Sequence, residues 1–269
     1  MQAHDTVRPA RPASMPDSGI KIERVVFDAP WAWLAAGWRD LWAAPRISLT
    51  YGTVFAAIST GLTVGLTAGG LEALVLSLAG GFLLIGPIAA IGLYETSRRL
   101  EAGEPVTFRS IAAASLRAPG QLGFFGAILA FAYFVWLEIA LLMLMLFLGS
   151  KPLPPASEFI PTLLFTPHGL GLLVSGTAVG GLLAFVVFAI SAISVPLLMT
   201  RRMDAVSAMA ASIAAVRVNP MAMTLWAALI AGFMALGIAT LFAGLVVAFP
   251  LVGHATWHAY RDLVRDGGG

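Results

Sequence analysis

Residues 122–149 read LGFFGAILAFAYFVWLEIALLMLMLFLG. At 1.5 Å per residue this run makes a helix of about 42 Å, longer than a hydrocarbon layer of about 30 Å. It holds one ionisable side chain, Glu138, and no polar face that would meet water. Such a segment is stable in lipid, where a helix satisfies its own backbone hydrogen bonds. Working outward, similar stretches cover Ile47 to Thr67, Leu71 to Tyr94 and Gly169 to Met199. The last, Met221 to Gly253, is 33 residues long. It reads as one long tilted helix or as two short ones turning near Gly237.

Composition agrees. Charged residues make up 11% of 269, hydrophobic residues 59%, and the mean hydropathy is +0.88. Soluble domains carry about 25% charged residues, so this chain has too little polar surface for a water-soluble fold. Six spans and their connections use nearly the whole length, leaving no room for a soluble catalytic domain. Cysteine is absent, which removes disulfides, thiolate nucleophiles and Cys-based metal centres together.

Charge sets the orientation. The segment before Ile47 holds Arg8, Arg11, Lys21, Arg24, Arg39 and Arg46; Arg98, Arg99, Arg109 and Arg117 follow the second apolar stretch. Arg201, Arg202 and Arg217 follow the fourth, and Arg261 and Arg265 close the chain. With six spans these fifteen share one side, and Lys151 of 16 basic residues lies opposite, in the loop from Ser150 to about Pro167. The positive-inside rule prefers that arrangement to five spans, which would move the C-terminal pair outside. The expected fold is all-α: a polytopic transmembrane helical bundle of six spans, five being the alternative, with cytoplasmic interfacial amphipathic helices.

Residues 1–27 carry Pro9, Pro12 and Pro16 and no long apolar core, and are set apart as a disordered cytoplasmic tail. The membrane domain runs over 28–263, and 264–269 form a flexible cytoplasmic C-terminus. Asp28-Ala-Pro30 is a helix start, with Asp28 as the capping carboxylate. Trp31, Leu34, Trp38, Leu41 and Trp42 then recur on one face of an interfacial helix over 28–45, with the tryptophans at headgroup level. A loose repetition runs through the chain. Three amphipathic stretches end at Pro45, Pro119 and Pro220, and each return span carries a proline near its cytoplasmic end: Pro87, Pro196, Pro250.

Phe82-Leu-Leu-Ile-Gly-Pro-Ile-Ala-Ala-Ile-Gly-Leu-Tyr-Glu-Thr-Ser-Arg-Arg-Leu-Glu-Ala-Gly103, the segment around Asn219-Pro220-Met221, and Gly253-His-Ala-Thr-Trp-His-Ala-Tyr-Arg261 resemble the bacterial integral membrane proteins called domain of unknown function 2189. The resemblance extends over about residues 30 to 263. It implies a six-span protein of the bacterial inner membrane with no established biochemical role, and the charge split puts both termini in the cytoplasm.

Few residues suggest chemistry. His254 and His258 stand four apart on one helix face beside Trp257 and Arg261, a spacing that suits a metal or haem iron. With no third ligand evident, they read as a headgroup-level polar cluster bonded to lipid or to the Tyr94–Arg99 corner. A carboxylate at Glu138 costs about 2.5–3.5 kcal/mol on insertion scales, and its functional reading is a proton or cation site. Tyr94, Glu95, Arg98 and Arg99, with Glu101 and Glu104, form a charged exit from the second span, in which Arg98 is expected to reach Glu95 and Glu101. Gly61-xxx-Gly65-xxx-Gly69 and Gly176-xxx-Gly180 are close-packing signals. The expected role is a non-enzymatic accessory, assembly, or lipid- or partner-interacting component with no cofactor. The alternatives are a small proton- or cation-coupled transporter or channel using Glu138, and a haem or metal protein using His254 and His258. Expected partners are the lipid bilayer and other inner-membrane proteins or further copies of the chain, with no nucleic acid.

Overall fold

The computed structural model describes residues 20–71, 75, 84–114, 116–149 and 156–266. It is a helical membrane protein with a small two-stranded ribbon. The helices are α1 (Ala29–Ala43), α2 (Pro45–Ala68), α3 (described over 84–89), α4 (Ile91–Glu101), α5 (Phe108–Ala114) and α6 (Pro119–Leu148). After them come α7 (Ala156–Phe165), α8 (Pro167–Ser191), α9 (Ser194–Thr200), α10 (Ala205–Val218), α11 (Pro220–Ala239) and α12 (Leu245–Leu263). Four segments are long and apolar enough to cross a membrane: α2, α6, α8–α9 and α11. Residues 72–74 and 76–83 of the second apolar stretch lie outside the described residues, as does Lys151.

The proline punctuation has a structural meaning. Pro45, Pro119 and Pro220 each occupy the first turn of a long helix, where a missing N–H costs nothing and the fixed φ is already helical. Each follows a short helix, α1, α5 or α10, so three units of short helix, long helix and return recur along the chain. Asp28 precedes α1 but makes no side-chain cap. The segment read as an outer loop contains α7.

Both chain ends depart from the expected tail boundaries. β1 (Ile20–Ile22) pairs antiparallel with β2 (Val264–Asp266), with Lys21 opposite Arg265. The cause is local alternation: Ile20 and Ile22 pack on the core and Val264 is buried beside them, while the ladder satisfies the backbone. Asn219 fastens the strand exit, accepting from the Val25 N–H at 2.9 Å and donating to the Glu23 carbonyl at 2.9 Å. Residues 1–19 and 267–269 of the expected tails lie outside the described residues.

The long C-terminal apolar run is two helices. α11 and α12 form a hairpin that turns over 240–244, just past Gly237. Phe55 of α2 stacks on Phe249 of α12 at 3.9 Å and 5°. Beyond Phe55, α2 continues 13 residues to Ala68, about 20 Å. Beyond Phe249, α12 runs only four residues, about 6 Å, before the turn. The hairpin tip therefore stops well short of the outer end of α2.

α12 is the hub, contacting α1, α2, α4, α9 and α11. Glycines let its neighbours in: a Cβ on Gly52 would overlap the Val246 carbonyl, and one on Gly37 would sit 2.6 Å from the Ala255 nitrogen. α1 splits the face expected of it. Leu34 and Leu41 are buried with Trp33 against the bundle, while Trp31, Trp38 and Trp42 face outward. Trp33 meets Trp226 edge to face at 5.7 Å and donates its Nε1–H to Asp262 at 2.7 Å.

Candidate functional site: an apolar cavity above a tied polar layer

The polar ends of α1, α2, α4 and α12 meet in one layer. Glu95 follows the second apolar stretch and is fully buried. Its carboxylate accepts from Arg98 at 2.9 and 3.0 Å, from Arg99 at 2.7 Å and from Arg117 at 2.6 Å. Burial pushes this carboxyl up, but the Arg98 hydrogen bonds and the Arg117 charge outweigh it and hold it below the usual carboxylate range. Arg98 also bonds Glu104, at 2.7 and 3.1 Å, and not Glu101 as its helical spacing suggested. Glu101 turns to α12, accepting from Trp257 Nε1 and from Arg261, both at 2.9 Å.

The two histidines are built into the same layer. His254 is fully buried, with Ser48 2.9 Å from Nε2 and Ser97 2.8 Å from Nδ1. Two hydroxyls, each donor or acceptor at will, suit a neutral ring in either tautomer. Burial pushes the His254 pKa down to about 4, opposed by the Asp40 charge. His258 Nε2 lies 2.8 Å from Asp40 Oδ2. Burial raises the Asp40 carboxyl and its bonds to His258 and Ser97 lower it, with the net shift downward. The helical spacing thus sends the rings to different partners. Among the described residues no cluster of three or more His, Cys, Asp or Glu forms. Tyr260 completes the layer, 2.7 Å from Thr200.

Directly above, toward the membrane, lies a cavity of about 290 Å³ between α2, α3, α8, α11 and α12. Its wall is apolar, with Phe55, Leu84, Phe188, Met234 and Phe249 among the lining residues and small residues such as Ala90, Gly181 and Ala227 making the space. Tyr94 and Gly253 border it one residue before Glu95 and His254, so the polar layer forms its floor. The Ser191 and Thr256 hydroxyls at its edge are spent on their own helices, on Phe188 and Val252 carbonyls. Trp226 borders it too, and its Nε1 is a buried donor with no acceptor among the described residues.

Sequence reasoning brought out Tyr94, Glu95, Arg98, Arg99, Trp257, His254, His258 and Arg261, and the structure gathers them around α12. It did not bring out Ser48, Ser97, Asp40, Trp33 or Trp226, whose partners are distant in the chain. Glu138 stands apart, exposed on the outer face of α6. Of the glycine motifs, a Cβ on Gly61, Gly65 or Gly176 would meet no described residue within 4 Å, whereas one on Gly180 would press on Trp136.

No curated protein and no solved structure matches the chain. A family match covers residues 74–200, including Phe82–Gly103; the Asn219–Met221 and Gly253–Arg261 motifs fall beyond it. Residues 74–200 match the family described as predicted integral membrane protein, domain of unknown function 2189.

Proposed function

We propose that the protein is a non-enzymatic component of the bacterial inner membrane that holds one hydrocarbon chain of a membrane amphiphile in the cavity above its polar layer. One observation carries this: a slot of about 290 Å³ with apolar walls lies between α2, α3, α8, α11 and α12, of which α2, α8–α9 and α11 are long and apolar enough to cross a membrane. Its volume is at the lower edge of small-molecule pockets, about 300–1,000 Å³, and suits a single chain. The polar layer supports a structural role, since Glu95 spends its oxygens on Arg98, Arg99 and Arg117, and His254 and Trp257 spend their polar atoms on neighbouring helices. Glu138 points outward from α6, which argues against an internal ion path.

The topology in this proposal keeps both termini cytoplasmic, as the charge split requires. α2, the second apolar stretch, α6 and α8–α9 cross fully. The α11–α12 hairpin enters from the cytoplasmic side and turns inside the lipid, in place of a fifth and a sixth complete crossing. Its turn, Thr240-Leu-Phe-Ala-Gly244, has no charge, and its backbone is satisfied internally. The N–H groups of Leu241, Phe242 and Ala243 donate to Ile238, Gly237 and Thr240 carbonyls, and the Gly244 N–H donates to Thr240 Oγ1. Non-helical backbone at membrane depth requires that closure.

The test is photocrosslinking in native membranes with a phospholipid whose acyl chain carries a diazirine. Adducts are expected on peptides that line the cavity, Gly181–Phe188 and Ala227–Met234. Adducts confined to outward residues such as Phe131 and Leu146 would refute the proposal.

A further inference from the structure

α6 is the least covered of the long helices. In its most apolar window 6% of residues are buried, against 56% for α8–α9. Phe131, Phe134, Glu138, Leu142 and Met145 recur along it at spacings of three and four, and all five are exposed. That spacing places them in one stripe. Lipid tails satisfy the four apolar side chains but not the carboxyl at the centre. Glu138 makes no hydrogen bond or ion pair with a described residue, and it stands 16 residues from Leu122 and 11 from Gly149, deep in the apolar run. A lone carboxyl there carries a cost of several kcal/mol, which a hydrogen-bonding partner removes.

We propose that this stripe is the contact between two copies of the chain, with the two Glu138 carboxyls meeting across a two-fold axis along the membrane normal. All copies insert with the same orientation, so such an axis lays α6 parallel to its counterpart and brings identical positions together. A carboxyl is suited to meet its own kind: in a pair of neutral carboxyls each O–H donates to the other's carbonyl oxygen, leaving no charge in the lipid. Phe134 and Leu142, one turn to either side, then pack against their counterparts and exclude lipid from the pair. A second copy supplies the missing group at the right depth by symmetry.

The chain has no cysteine, so single-cysteine variants of the full-length protein in native membranes test the face directly. Phe134→Cys and Leu142→Cys, which leave Glu138 intact, are expected to form disulfide-linked dimers on mild oxidation. Leu182→Cys, exposed on α8, is expected to stay monomeric. Adding Glu138→Leu is expected to lower the cross-linked fraction about three- to tenfold, in the range of one interhelical hydrogen bond in lipid, and Glu138→Gln to preserve it. Absence of cross-links at 134 and 142, equal cross-linking at 182, a product of a different mass, or indifference to Glu138→Leu would each overturn the proposal.

Discussion

Gly52→Ala isolates the packing of α2 on α12. A Cβ at position 52 would land on the Val246 carbonyl, and the atoms it meets next are also Val246 backbone, which cannot swing away as a flexible side chain does. Relief requires α2 and α12 to separate, loosening the Phe55–Phe249 stack and the Ser48–His254 bond that flank the contact. Overpacking of this kind costs about 1–3 kcal/mol. Gly61→Ala, on the same helix with no described residue within 4 Å of the added Cβ, is the internal control and should gain about 0.5–1 kcal/mol from helix propensity. The assay is thermal unfolding of the purified variants in one mild detergent. Gly52→Ala should melt several degrees below the parent and Gly61→Ala at or above it. Equal midpoints, or the reverse order, would refute the α2–α12 register.

Three further outcomes follow from the same geometry. Leu241→Cys should resist membrane-impermeant maleimide from both sides, because the hairpin turn lies in lipid, while a cysteine at the C-terminus is labelled from the cytoplasm; labelling of position 241 from the periplasm would restore the six-crossing topology. Glu95→Gln should destabilise by about 3 kcal/mol in the same melts, since it removes the carboxylate that three arginines share; parent-like stability would show that the cluster is incidental. His254, lowered from 6.5 to about 4 in the folded state, takes a proton more readily when unfolded, so its contribution is present above pH 6.5 and is lost as pH falls toward 4, by about 3 kcal/mol in total. His254→Gln should flatten that part of the pH–stability curve, and an unchanged slope would mean that another group titrates.

The helical membrane class was legible from hydropathy and charge alone, since lipid leaves few options for a chain this apolar. The prolines marked helix starts because their stereochemistry acts locally, wherever the helix packs. The Glu95 cluster was half legible: Arg98 and Arg99 lie within helical reach, but Arg117 arrives from beyond α5 and Glu101 leaves for α12. The cavity gave no signal, because it is made of absences at Ala90, Gly181 and Ala227, which ordinary helix packing also uses. Gly52 was silent because which face of α2 turns inward is set by α12, nearly 200 residues away. Glu138 was legible as a costly carboxyl deep in an apolar run, and its direction was not. α6 is apolar all round, so its sequence gave no clue to the face that looks outward.

The cavity is tested most directly by native mass spectrometry of the protein released from a mild detergent, compared with an Ala227→Trp variant that fills the slot. The parent should carry one tightly held amphiphile per chain that survives delipidating washes, and the variant, folded with an equal melting temperature, should have lost it. A parent without bound amphiphile, or a variant that retains the same adduct, would contradict the proposed function.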